Sequence, residues 1–332
     1  MTDLLSRLLE NRPRLLADGA TGTNLFEAGL QTGYPPELWN LESENQEKVY
    51  NLNRAFVEAG ADIILTNSFG GTRARLKLHQ AQERVHAANE SAARLARRAA
   101  DGAGRPVVVA GAIGPTGELY EPLGPLAFDE GVEIFAEQAI ALKAGGADVL
   151  WIETMFSIHE FKSALKGAAR TGLPCVCTLS FDMKGRTMMG VSPAEAARLM
   201  REVEPRPVAY GANCGVGAAE VVAVLLSMKD AAGADDVLVA KSNCGIPQMV
   251  DGDVRYSGTP ELMADYVHMA LDAGARIVGG CCGTTPDHLK AMRIAMDSHI
   301  GGERPDLKAV IARLGEVSPG AQKQARDLRP VA

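Results

Sequence analysis

The sequence predicts a single (β/α)₈ barrel, and three observations carry that prediction. Short apolar runs alternate with helical segments until eight strands have been laid down, the rhythm of parallel strands joined by helices. One phrase recurs: a helix end, a glycine, then an apolar strand. It appears in Glu58-Ala59-Gly60-Ala61-Asp62-Ile63-Ile64-Leu65, in Lys143-Ala144-Gly145-Gly146-Ala147-Asp148-Val149-Leu150 and in Asp272-Ala273-Gly274-Ala275-Arg276-Ile277-Val278. The third observation is the lack of an antiparallel hairpin signal, which leaves a parallel sheet. A doubly wound open sheet is the alternative. The count of eight, in a chain long enough for a barrel of roughly 250 residues plus loops, favours closure.

Taken in order, a short amphipathic helix leads into Arg14-Leu15-Leu16-Ala17-Asp18-Gly19-Ala20-Thr21-Gly22-Thr23, an apolar strand that breaks into a glycine-rich turn. Tyr34-Pro35-Pro36 marks an irregular loop. Residues 45–59 place apolar side chains at helical spacing, and Gly60 stops that helix. The remaining strands fall at 61–69, 105–115, 148–154, 174–181, 208–214, 237–243 and 277–281. The barrel is expected to occupy residues 1–300. Residues 301–332 contain Pro305, Pro319 and Pro330 and one amphipathic helix at 307–314, and read as a peripheral C-terminal tail.

Composition narrows the function. The 332 residues are 46% hydrophobic and 23% charged, an ordinary balance for a soluble globular chain with a large core. The net charge is −7 and no basic stripe forms, which argues against nucleic acid and anionic membranes as partners. The N-terminus lacks the apolar core of a signal peptide, and no apolar run reaches membrane-spanning length. A cytoplasmic location follows, so the six cysteines are thiols or metal ligands and not a disulfide framework.

Two of those cysteines are adjacent, in Gly279-Gly280-Cys281-Cys282-Gly283-Thr284-Thr285-Pro286, where a strand hands over to a helix. Neighbouring strand residues point to opposite faces, so both thiols reach one point only if the backbone leaves strand geometry, which the glycines permit. Adjacent cysteines are too close for an unstrained disulfide. Metal ligation suits them better, and Cys214, ending the apolar run Tyr210-Gly211-Ala212-Asn213, is the candidate third ligand. Three thiolates with one open position describe a reactive zinc site. Cys175, Cys177 and Cys244 read instead as buried packing residues.

In such a barrel the C-terminal strand ends converge on one mouth. Those ends carry Asp18, Thr66 and Asn67, Gly114, Glu153, Asp182, Asn213 with Cys214, Asn243, and Cys281 with Cys282. The amides of Gly19 and Ala20 suit a substrate carboxylate and Asp18 a positive group. Asp18 as a simple turn former is the rival reading. Glu153 ends an otherwise apolar strand, a costly place for a charge without a partner, and an ammonium group is the expected one. A structural salt bridge is its rival. The six histidines fall mostly in helices, and no nucleophile elbow appears. Arg73, Asn89 and Lys241 are further candidates for the mouth.

A zinc ion among three thiolates is a weak activator of water but holds a fourth thiol as a thiolate nucleophile. With an ammonium and a carboxylate also bound, the substrate reads as a thiol amino acid, and alkyl transfer to its sulfur as the reaction. The motifs Asp18-Gly19-Ala20-Thr21-Gly22-Thr23, Thr66-Asn67-Ser68-Phe69, Ile152-Glu153-Thr154, Gly211-Ala212-Asn213-Cys214 and Gly279-Gly280-Cys281-Cys282-Gly283 resemble the homocysteine S-methyltransferase family, in order, to about residue 300. The resemblance implies a zinc-bearing barrel that methylates homocysteine to methionine. It implies Cys214, Cys281 and Cys282 as ligands, and Asp18 and Glu153 at the amino group. Gly19, Ala20, Thr66 and Asn213 complete the expected substrate contacts. The motif details look more like the homocysteine barrel of cobalamin-dependent methionine synthase. They imply a methylcobalamin donor with separate cobalamin-binding and folate-binding partner proteins. The betaine-using branch carries tyrosines where this chain has Gly70 and Thr154, although Trp39 offers a cation cage. An autonomous enzyme using betaine or S-methylmethionine is thus the alternative, and a non-enzymatic zinc-stabilised thiol sensor the remote one.

Overall fold

The computed structural model describes residues 3–155, 157–250 and 253–326. The strands are β1 (Leu15–Leu16), β2 (Ile63–Leu65), β3 (Val108–Ile113), β4 (Val149–Met155), β5 (Cys175–Leu179), β6 (Ala209–Cys214), β7 (Leu238–Ser242), β8 (Pro247–Val250), β9 (Asp253–Tyr256) and β10 (Ala275–Gly280). Eight of them form one parallel sheet in the order β1-β10-β7-β6-β5-β4-β3-β2. The ends of that sheet meet: Ala17 bridges Ile63 in parallel, the Asp62 amide donates to the Leu16 carbonyl at 2.7 Å, and the Asp18 amide donates to the Ile63 carbonyl at 3.0 Å. The predicted (β/α)₈ barrel is the fold. No helix among the described residues is long and apolar enough to cross a membrane.

The recurring phrase has a common geometry. Gly60, Gly146 and Gly274 take φ of +103°, +101° and +101°, the left-handed turn that ends a helix at low cost only with glycine. Two residues later, Asp62 accepts the Leu16 amide at 3.0 Å and Asp148 the Val109 amide at 2.8 Å. Each aspartate thereby ties the start of its strand to a neighbour. Arg276 holds the equivalent place in the third copy and donates to the carbonyls of Leu9, Arg12 and Pro13.

Strand parity sorts the side chains. Ile63, Leu65, Val108, Ala110, Ala112, Val149, Trp151, Val176, Ala209, Val239 and Ile277 fill the barrel interior, joined by Leu5, Leu8 and Leu9 of the lead helix Leu4–Asn11. Their neighbours in sequence, such as Ile64, Val109, Leu150 and Ala240, face the surrounding helices in the main core. Continuing the inward rows toward the C-terminal end reaches Glu153 and Lys241 two residues after Trp151 and Val239, and Asn213 four residues after Ala209. The strand pattern that packs the core therefore also delivers the polar groups of the mouth.

Two features depart from the sequence reading. An antiparallel hairpin exists: β8 pairs with β9, Pro247 opposite Tyr256 and Val250 opposite Asp253. Its sequence signal is Asp251-Gly252, a favoured two-residue hairpin pair, although those two residues lie outside the described ones. The segment after residue 300 holds a second helix, Pro319–Arg326, beside the expected Leu307–Leu314. Val310, Val317 and Ala321 of this segment are buried in the main core. The Ser318 amide donates to Glu220 at 2.6 Å, on the helix Ala218–Ala231. Residues 327–332 lie outside the described range.

Candidate active site

Where β6 and β10 end, the backbone does what two neighbouring thiols require. Cys214 takes φ of +62°, as does Thr154 at the end of β4, a left-handed conformation costing a side-chain-bearing residue about 1–2 kcal/mol. Asn213 holds both kinks. Its Oδ1 accepts the Thr154 amide at 2.9 Å, and its Nδ2 donates to Thr154 Oγ1 at 2.7 Å. Beyond β10, the Cys281 amide donates to the Ser242 carbonyl at 2.6 Å and the Cys282 amide to Asn243 Oδ1 at 3.1 Å. Gly283 is at φ +79° with Tyr256 against it, so that a Cβ there would lie 2.4 Å from the ring.

The result is a cluster of the Cys214, Cys281 and Cys282 sulfurs, all within 4.8 Å of one another. Cys214 Sγ and Cys282 Sγ are 3.9 Å apart. A tetrahedral zinc site with bonds of about 2.3 Å places its sulfurs about 3.8 Å apart, so this donor set fits a thiolate-bound metal with one position left for a ligand. The Cys214 thiol is held well above its ordinary pKa, by hydrogen bonding to Cys281 and then Cys282. Cys282 is drawn down to about 3 by hydrogen bonds from Cys214 and Cys281, with a smaller share from Tyr256, against the opposing effect of burial. Cys175 and Cys177 are buried elsewhere in the main core, where burial raises the Cys175 thiol to about 12. Cys244 is in the same core.

The cluster forms one wall of a cavity of about 310 Å³ that also takes in Gly19 to Thr23, Thr66, Glu153 and Lys241. Glu153 is 8% exposed and has no hydrogen-bond partner among the described residues. Burial first, then the charges of Cys281 and Asp18, push its carboxyl up to about 8 against the pull of Lys241. It is a buried acid opening on a cavity without its counter-ion.

Asp18 sits differently from the expectation that it meets a ligand's positive group. Its carboxylate is fully buried, accepting Lys241 Nζ at 2.6 Å and the Leu65 amide at 2.7 Å. The cation it meets is Lys241, itself 2% exposed, with Nζ 5.7 Å from the Trp151 ring centre. Thr66 lines the cavity, but its hydroxyl is engaged by the Ala112 amide and Ser68. The Ala20 amide donates to the Thr284 carbonyl. Asp182 is exposed at the surface. Arg73 pairs with Glu137 and Glu83, and Asn89 is bonded to the Gly71 and Val85 carbonyls, so neither lines the cavity. Trp39 is buried in a separate cluster with Lys48 over its ring. Tyr256 was missed by the sequence reading because it belongs to the unforeseen hairpin. Lys241 had a signal, a charge two residues beyond Val239 in an apolar strand.

The comparisons agree with this geometry. Residues 15–296 match the family model described as homocysteine S-methyltransferase, and the chain belongs to that family. It is similar to the Escherichia coli homocysteine methyltransferase MmuM, in its oxidized and metallated forms alike, at 25% identity and a TM-score of 0.71, over 88% of this chain and 99% of that one. A methyltransferase from Methanosarcina mazei shares the fold at 15% identity and a TM-score of 0.56, over 90% and 99% of the two chains. Family membership supports methyl transfer over a purely structural role for the sulfur cluster.

Proposed function

We propose that the protein transfers a methyl group to the sulfur of homocysteine, giving methionine, with zinc held by Cys214, Cys281 and Cys282. The observation that carries this reading is the sulfur triad sharing one cavity with an unpartnered buried carboxylate. A zinc ion in the triad supplies the means of keeping the substrate sulfur as a thiolate at neutral pH. Glu153 takes the ammonium group, which is the counter-ion its burial demands. The substrate carboxylate goes to the backbone at Gly19, where helix Thr21–Glu27 begins on the cavity wall. Asp18 acts from behind, fixing Lys241, whose charge offsets that of the sulfurs. Asn213 positions Cys214 and Thr154.

For the donor we propose methylcobalamin presented by a separate cobalamin-binding protein, with a folate-binding protein to recharge it. Supporting this, Gly70 and Thr154 offer no aromatic cage and Trp39 is spent on Lys48. A small cationic donor, betaine or S-methylmethionine, is the second reading. It is favoured by Phe26 and Phe69 on the cavity wall with the buried Glu37 beside them. The deciding experiment is methionine formation by zinc-loaded protein from homocysteine, with methylcobalamin, betaine and S-methylmethionine in parallel. Turnover with any one of them that disappears on chelation of zinc supports the reaction and selects the donor. No methionine with any of the three, or turnover indifferent to zinc, overturns the proposal.

A further inference from the structure

We propose that the cavity at the N-terminal end of the barrel is a binding site for a phosphate group. This cavity, about 380 Å³, is remote from the sulfur cluster and is lined by Arg12, Arg14, Arg105 and Arg293. Its acids are Asp62 and Asp297, which leaves the lining with two positive charges in excess, in a chain whose net charge is −7. Three guanidinium groups converge on the one buried carboxylate of Asp62: Arg12 at 2.6 Å, Arg293 at 3.1 Å and Arg105 at 3.5 Å. That carboxylate also accepts the Leu16 amide, so its oxygens are crowded.

Nearby acceptors are already used. Arg105 Nη2 donates to the Val57 and Ala61 carbonyls, Arg293 Nη2 pairs with Asp297, Arg14 donates to the His299 carbonyl, and Arg276 occupies the carbonyls of Leu9, Arg12 and Pro13. Two buried nitrogens make no hydrogen bond: Arg293 Nε, and Arg105 Nη1, which stands 3.5 Å from Asp62 as an ion pair alone. Burial is the main cause that lowers the Arg105 pKa; Asp62 opposes it, and the charges of Arg12 and Arg293 lower it further. A dianionic phosphate balances the excess charge of the lining, and its oxygens match the guanidinium forks of the partly exposed Arg12 and Arg14. The same group is available as free phosphate or as the monoester end of a nucleotide.

The test is thermal unfolding and titration calorimetry with inorganic phosphate and with AMP, at ionic strength held constant with chloride. A saturable rise in melting temperature above the chloride control is expected. Arg12→Gln or Arg14→Gln should weaken that binding at least about fivefold, whereas Cys282→Ala at the opposite mouth should leave it unchanged. Binding of inorganic phosphate identifies the free anion as the ligand, and binding of AMP alone identifies the phosphate of a larger molecule. No saturable effect from either, or wild-type affinity in both folded arginine variants, overturns the proposal.

Discussion

Asp18 and Asp62 are buried aspartates at opposite ends of the seam where β1 meets β2, and they are served in opposite ways. Asp62, 3% exposed at its side chain, has three arginines. Asp18, 1% exposed, has one lysine and one backbone amide, and its carboxyl is raised because burial outweighs the attraction of Lys241. The arginines of Asp62 reach solvent. Lys241 is enclosed by Asp18, the Trp151 ring and the cavity that the sulfur cluster lines. One end of the seam is thus over-supplied with cations. The other is held near electrostatic balance, where a ligand's charge decides the outcome. Substitutions at the two ends should therefore separate stability from activity.

The largest effect belongs to the sulfur cluster. Cys282→Ala removes one of the three proposed ligands and should lower methyl transfer at least about 100-fold, through loss of metal and of the substrate thiolate. Its melting temperature should stay near that of the metal-free parent. Metal content and initial rates measured together check this, and a variant that keeps both zinc and rate would refute the assignment of Cys282. Next comes Lys241→Met, which leaves Asp18 buried without its cation and should cost about 3 kcal/mol of stability along with most of the activity. Adding Asp18→Asn should restore the stability without the activity. Recovery of both would reduce Lys241 to a structural counter-ion.

At the other end, Asp62→Asn should cost about 1–3 kcal/mol. The loss is moderate because Arg12, Arg105 and Arg293 can turn to water. Its kcat/KM for homocysteine should stay within about twofold of the parent, since independent distant sites add. A tenfold fall in kcat/KM would show that the two ends of the seam are coupled and would break the comparison.

The comparison also shows what the sequence made legible. Reading the strand ends placed Glu153 and Asn213 at the mouth, and both fall on the inward rows of Trp151 and Ala209. The cysteine motif was legible because a cysteine pair flanked by glycines wastes its packing value. The Lys241–Asp18 pair was not, since it joins residues at opposite ends of the chain and only barrel closure brings β7 across from β1. Asp62 resisted for a different reason. It lies inside the repeated phrase, where its partner in repetition, Asp148, makes an ordinary strand-start ion pair with Arg97. Nothing local distinguishes an aspartate with one arginine from an aspartate with three. The hairpin was overlooked through a missed turn signal.

A last effect sharpens the contrast most finely, because it uses charge alone. In the metal-free protein the Glu153 carboxyl titrates at about 8, above its value near 4.3 in an unfolded chain. Between those values the folded state holds a proton that the unfolded state has released, so Glu153 favours the fold at low pH. That contribution is lost as pH rises toward 8. A ligand ammonium reverses the preference, since binding it requires the ionised carboxylate. Methionine, which carries the ammonium without a thiol, should accordingly bind the metal-free protein about tenfold more tightly per pH unit from 6 to 8, and level off above. Glu153→Gln should bind weakly with no such slope, while Asp62→Asn should keep it. Calorimetry across this range decides the matter: a slope that survives in Glu153→Gln would move the ammonium contact to another group.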